Sequence, residues 1–209
     1  MVMFGDGSVA QVLLSTGQTT APGGNGFGSY QSISWGWGLG VMLGIYVAGD
    51  SGAYLNPAIT FSNCLYRQLP WRRFPVYLLA QFLGGFVGSG IVYANYISAI
   101  NWFEGGPGIR TVPPAPKATA AIFCTYPQPF VTKASQFFSE FIASALLMFV
   151  IFALKDPSNN GVGKVSTPIS SLAAPNTHML LERQMVPIVF VLPHLWARRV
   201  FRLGDRIRD

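Results

Sequence analysis

The chain has 209 residues, half of them hydrophobic and only 11% charged, which is little charge for a soluble domain and points to a lipid environment. The formal net charge of +6 is not the footprint of a nucleic-acid surface: of fourteen basic residues, Arg183, Arg198, Arg199, Arg202, Arg206 and Arg208 crowd into the tail. Two cysteines, Cys64 and Cys124, are too few for a disulfide framework or a zinc site, and no metal, cofactor or nucleic-acid partner is expected.

The first apolar run, 1–15, has no basic n-region and contains Asp6, so it reads as part of a helix and not as a signal peptide. Residues 16–29, uncharged and rich in Gly, Ser and Thr, form a short external connection. Runs 30–49, 74–100 and 134–154 are each about as long as the ~20 residues that a transmembrane helix needs. Between the first two of these, Gly, Ser and Pro at 50–57 break the pattern and a short apolar run, 56–66, follows. Those residues, as a helix, extend roughly 16 Å, about half of the ~30 Å hydrocarbon core. The segment can enter a membrane but cannot cross it.

Arg67, Arg72 and Arg73 precede run 74–100 and place that loop in the cytosol. Alternation then sends 1–15 outward, brings 30–49 back, puts loop 101–133 outside and returns the chain inside at Lys155, with Lys164 in agreement. From 165 onward the only apolar run is 186–192, and about 45 residues with so little apolar sequence could hardly bury a core.

Irregular backbone at membrane depth is tolerated where it lines a water-filled cavity or is buried in protein, which makes 50–56 a pore-lining candidate. Asn56 is expected to start the half-helix, with Pro57 at the first helical position, where its missing N–H costs nothing. The Asn56 carboxamide then faces the pore and can donate to a water or hydroxyl oxygen. The positive end of the helix dipole at the same place repels protons and cations, and carbonyls of 52–55 supply acceptors.

The string Ser51-Gly52-Ala53-Tyr54-Leu55-Asn56-Pro57-Ala58-Ile59-Thr60 resembles the first Asn-Pro-Ala box of the aquaporin family. Phe4-Gly5-Asp6-Gly7-Ser8-Val9-Ala10-Gln11, Trp37-Gly38-Leu39-Gly40-Val41 and Thr125-Tyr126-Pro127 are similar to its glycerol-conducting branch, and 156–163 resembles a cytosolic loop of the family. The resemblance implies an all-α transmembrane fold, an incomplete aquaporin-like bundle with one re-entrant half-helix. It implies a channel for passive movement of glycerol, small polyols and water, as a multi-pass protein of the plasma or vacuolar membrane and, in the parent family, a homotetramer. It also implies a pore contact at Asn56, a half-helix shaped by Pro57 and Ala58, an aromatic filter wall at Trp37, and internal support of the half-helix by hydrogen bonds to Glu140. Tyr54 stands where a His is common in the family.

The second box, the filter arginine and the last two helices have no counterpart here, so the expectation is a chain truncated at both ends that conducts poorly by itself. The division expected is a membrane domain at 1–164 and an anomalous tail at 165–209. Segment 192–209 can be encoded by a sequence whose other frame resembles the family's fifth helix, and the codons near Val165 and Gln184 admit an unspliced intron. Two other readings stand beside the channel. One is a non-conducting membrane subunit or pseudogene product. The other is a serine protease built on Gly49-Asp50-Ser51-Gly52, which requires a base from His178 or His194 in the tail; the reading adopted is not an enzyme. Gly36, Gly38, Gly40, Gly44, Gly84, Gly85 and Gly88 are read as helix-packing positions, since no strand precedes them to form a nucleotide loop.

Overall fold

The computed structural model describes residues 1–16, 26–154 and 156. Lys155, Lys164, the histidines and everything expected of 165–209 lie outside the described residues. Five α-helices appear in order: α1 (Val2–Ser15), α2 (Tyr30–Val47), α3 (Pro57–Tyr66), α4 (Phe74–Glu104) and α5 (Lys133–Leu154), with single 3-10 turns at Gly49–Ser51, Trp71–Arg73 and Ala120–Ile122. No strand occurs among the described residues.

Local chemistry sets the ends. Ser29 and Ser32 form a reciprocal capping box that opens α2. Pro75 sits in the first turn of α4, where its lack of an N–H is harmless. Helix α4 runs four residues beyond the expected end at Ile100, because nothing before Gly105 stops it. Gly105 turns left-handed at φ 91°, and the N–H groups of Gly105 and Gly106 close on the Asn101 carbonyl.

Helix α4, within the apolar stretch Trp71–Glu104, and α5 are the two described helices long and apolar enough to cross a membrane. Helix α2 has the length but mixes Ser, Gln and Gly into its apolar run. The surface is arranged for lipid. Val76, Leu79, Phe82, Phe86 and Ile91 on α4 and Phe137, Phe141 and Phe149 on α5 are exposed, whereas Asp6, Ser34, Thr60, Asn63 and Glu140 are buried. Apolar surface outside and polar groups inside is the pattern of a bundle solvated by hydrocarbon.

Helix α1 lies between α2 and α4. Its contact with α2 is close because small residues meet: a Cβ at Gly36 would fall 2.4 Å from the Ser8 side chain, and one at Gly40 would fall 2.8 Å from the Met1 carbonyl oxygen. The packing role expected of the glycines therefore holds at Gly36 and Gly40, and at Gly88, where a Cβ would lie 3.3 Å from Val2 of α1. Gly84 and Gly85 have nothing within 4 Å. Toward the outer end Ala10, Leu14, Val92, Ile100 and Ile122 form one apolar cluster that seats the outer loop on α1 and α4. At the other end Arg67, just past α3, donates to the Phe152 carbonyl oxygen at 3.1 Å and lies over the Phe152 ring, with its guanidinium 5.2 Å from the centroid. A cation at the last turn of α5 satisfies a carbonyl that the helix leaves open.

Candidate functional site

The site begins where α2 ends. After the turn at Gly49–Ser51 the chain runs irregularly to Asn56, with φ of 90° at Gly52, 48° at Ala53 and 52° at Leu55. Left-handed backbone is routine for glycine but costs roughly 1–2 kcal/mol at each of the other two. It persists because neighbouring elements clamp the segment. The Tyr77 hydroxyl of α4 donates to the Ser51 carbonyl oxygen at 2.7 Å, and the Tyr77 and Tyr54 rings meet edge to face at 5.4 Å. On the other side Leu55 leans on Gly44 of α2, where a Cβ would lie 3.1 Å from a Leu55 methyl.

Asn56 then caps α3. Its backbone is extended, and its Oδ1 accepts from the Ala58 N–H at 2.8 Å, with Pro57 supplying the first helical residue. Committing Oδ1 to the helix leaves the Nδ2 protons for an acceptor beyond it. A relay fixes this cap from behind. Gln81 Nε2 of α4 donates to Thr60 Oγ1 at 2.9 Å, and Thr60 Oγ1 donates to the Asn56 carbonyl oxygen at 2.9 Å. Thr60 is fully buried.

Contacts with α4 order the other residues by depth. Ser89 lies eight residues beyond Gln81, about 12 Å further out along the helix, and bonds Asp6 of α1. The turn of α1 that carries Asp6 also carries Gly5, and Gly5 is covered by Trp37: a Cβ there would fall 2.4 Å from the indole. Trp37 thus belongs to a level outside Asn56. Glu140 is buried at 5% exposure, and its Oε1 has no hydrogen-bond partner among the described residues. The structure brings Asn56, Pro57 and Ala58 together at the head of α3 and packs Trp37 of α2 against Gly5 of α1. Among the described residues no hydrogen bond joins Glu140 to the half-helix, so the support expected of it by hydrogen bonding is not found. Ser51 Oγ donates to the Ala48 carbonyl oxygen at 2.7 Å, and there is no histidine among the described residues to act as its base.

Sequence reading passed over several residues. Gln81, Thr60 and Tyr77 look like ordinary helix residues until α3 and α4 are placed side by side. A larger omission lies at the outer end. Glu104 accepts from Arg110 Nη1 at 3.3 Å, from the Thr111 N–H and hydroxyl at 2.9 and 3.0 Å, and from the Thr119 N–H and hydroxyl at 3.4 and 2.8 Å. Arg110 also donates to Tyr93 Oη at 2.7 Å and Asn101 Oδ1 at 2.8 Å. The signal was present, since Glu104 and Arg110 are the two charged residues between Arg73 and Lys117.

The same loop buries Cys124, whose thiol is pushed up to about 11 by burial and then by the charge of Asp6. Two pH units above its ordinary value of 9.0 means about a hundredfold less thiolate at neutral pH. In a Cys64→Ser background, maleimide labelling of Cys124 at pH 7 is expected to be slower than that of a free thiol by at least that factor. Labelling at the free-thiol rate would contradict the burial.

Residues 1–181 match the family described as major intrinsic protein. The chain is 59% identical over 169 residues to Aquaglyceroporin-9 of Botryotinia fuckeliana, covering 81% of this chain and 35% of that protein. It is 58% identical over 163 residues to Probable aquaglyceroporin-2 of Gibberella zeae, covering 78% of this chain and 46% of that one. The structure resembles the X-ray structure of the aquaglyceroporin from Plasmodium falciparum, with a TM-score of 0.62 and 26% identity, over 87% of this chain and 70% of that one. The chain therefore spans less than half the length of these two fungal relatives. On the extent of the family match and the box at Asn56, this chain belongs to the major intrinsic protein family and is an integral membrane protein.

Proposed function

We propose that this protein works as a passive channel for glycerol, other small uncharged solutes and water, and that its 209 residues supply one of two half-helices of the path. The observation that carries this reading is the capped half-helix, with Asn56 at its head and irregular backbone before it. The names of its relatives, aquaglyceroporins, agree with it.

The chemistry needs no covalent step. Asn56 Nδ2 donates to the oxygen of a passing water or hydroxyl, and carbonyls of 52–55 accept from it. The positive end of α3 disfavours protons and cations at the same point. Trp37 presents an apolar wall to the carbon skeleton further out, and Pro57 and Ala58 shape the head of the half-helix; Glu140, buried on α5 without a hydrogen bond to that half-helix among the described residues, supports it at most through packing. The proposed organisation is a membrane bundle at 1–164 followed by a separate tail at 165–209, although the family match runs on to residue 181. A homotetramer with one path per subunit, in the plasma or vacuolar membrane, completes the proposal.

One box is present in the sequence, and a closed lumen needs a second half-helix facing the first. Glycerol uptake followed by light scattering is expected to exceed the lipid background in vesicles holding a native product that supplies the second half-helix. It is expected to stay at background for the 209 residues alone. Background flux from both would overturn the channel reading and leave a non-conducting membrane subunit.

A further inference from the structure

Asp6 is a buried carboxyl in a membrane helix that the proposed conduction path does not use. It is 5% exposed, and its Oδ2 accepts from the Ser89 hydroxyl of α4 at 2.7 Å. A carboxyl group near the middle of a bilayer is costly, and a small polar residue could bridge two helices at lower cost. The neighbouring residue shows what the bridge controls. Gly5 is the surface on which the Trp37 indole rests, so close that a Cβ would fall 2.4 Å from the ring. Helix α1 is thus held between Ser89 of α4 on one side and Trp37 of α2 on the other.

We propose that Asp6 and Ser89 are positioning residues for Trp37: their hydrogen bond fixes the rotation of α1, and through Gly5 the place of the indole. The geometry gives the size of the effect. Turning a helix with Cα atoms on a 2.3 Å radius by about 20° moves the Gly5 Cα by roughly 0.8 Å. Toward α2 this part of α1 makes packing contacts on glycine, Ser8 against Gly36 and Phe4 against Gly40, whereas the Asp6–Ser89 bond toward α4 is directional. A side-chain bond from this part of α1 to α2, from Ser8 Oγ to the Ile33 carbonyl oxygen, is long at 3.4 Å. The relevance to selectivity rests on the reading of Trp37 as the filter wall.

The test uses the 209-residue chain in lipid vesicles with Trp35, Trp71, Trp102 and Trp196 replaced by Phe, so that Trp37 alone emits. Asp6→Ala and Ser89→Ala each remove the bond, from opposite helices. Asp6→Asn keeps an oxygen that Ser89 can donate to. The fraction of Trp37 open to acrylamide is expected to rise about tenfold in both alanine variants, the factor corresponding to loss of one strong hydrogen bond. It is expected to stay near the parent value in Asp6→Asn. Unchanged quenching in both alanine variants overturns the proposal. So does a rise that tracks loss of helical circular dichroism, because the pair would then hold the bundle and not the ring. Separately, Trp37→Ala in a conducting product tests the filter reading by its glycerol-to-water flux ratio. An unchanged ratio removes the filter wall and leaves the positioning of Trp37 as found.

Discussion

Glu104→Ala is expected to release the outer loop and to cost about 3–5 kcal/mol locally, the range for removing one partner of a buried, hydrogen-bonded ion pair. The side chain is fully inaccessible, and that of Arg110 is 11% exposed. Truncation therefore leaves the Arg110 charge without its counter-ion, held by Tyr93 and Asn101, and strands the N–H groups of Thr111 and Thr119. Glu104 also sits at the last position of α4, where the helix dipole disfavours a carboxylate; only the donors converging on it make the position favourable. Trypsin cleavage after Arg110 or Lys117 reads the effect. Opening of the loop is expected to increase about a hundredfold or more in Glu104→Ala. Glu104→Gln, which retains an acceptor and loses the charge, should fall between. Equal cleavage rates in wild type and Glu104→Ala would show that the apolar cluster at Leu14, Ile100 and Ile122 holds the loop without the ion pair.

Thr60→Val is expected to have the second large effect. The substitution preserves shape and removes one hydroxyl, but that hydroxyl is the middle of the relay from Gln81 to Asn56. Two hydrogen bonds are lost, and Gln81, whose Oε1 already lacks a partner among the described residues, is left with its Nε2 unpaired as well. An unsatisfied buried polar group costs about 1–3 kcal/mol, applied here directly behind the cap of the half-helix. Lower thermal stability in detergent, restored by Thr60→Ser, is the expected result. If Thr60→Val matches wild type, the relay contributes nothing to holding Asn56.

What could be read from the sequence depended on how local its cause was. The half-helix was legible because Asn56 and Pro57 encode their own cap, and the breaking residues before them encode the irregular segment. The five helices were legible from apolar length, with small shifts at ends such as Gly105, where the terminator lies past the apolar run. The relay was not legible, because Thr60 and Gln81 become partners only when α3 folds back along α4. Trp37 was placed by resemblance, yet its seat on Gly5 comes from the α1–α2 crossing, which no local pattern specifies. Glu104 and Arg110 could have been suspected from charge alone in an uncharged stretch, but the convergence of Thr111 and Thr119 depends on the path of the loop.

On the proposed function, Asn56 heads a half-helix facing a water-filled path at membrane depth. Its most direct test is thiol accessibility at that position. Asn56→Cys is placed in the native product with Cys64 and Cys124 replaced by Ser, and intact vesicles are treated with a small, neutral, water-soluble methanethiosulfonate. Rapid modification that glycerol slows by competing for the same space is the expected result. A thiol that stays unreactive until the membrane is dissolved would place residue 56 inside packed protein and rule out a path there.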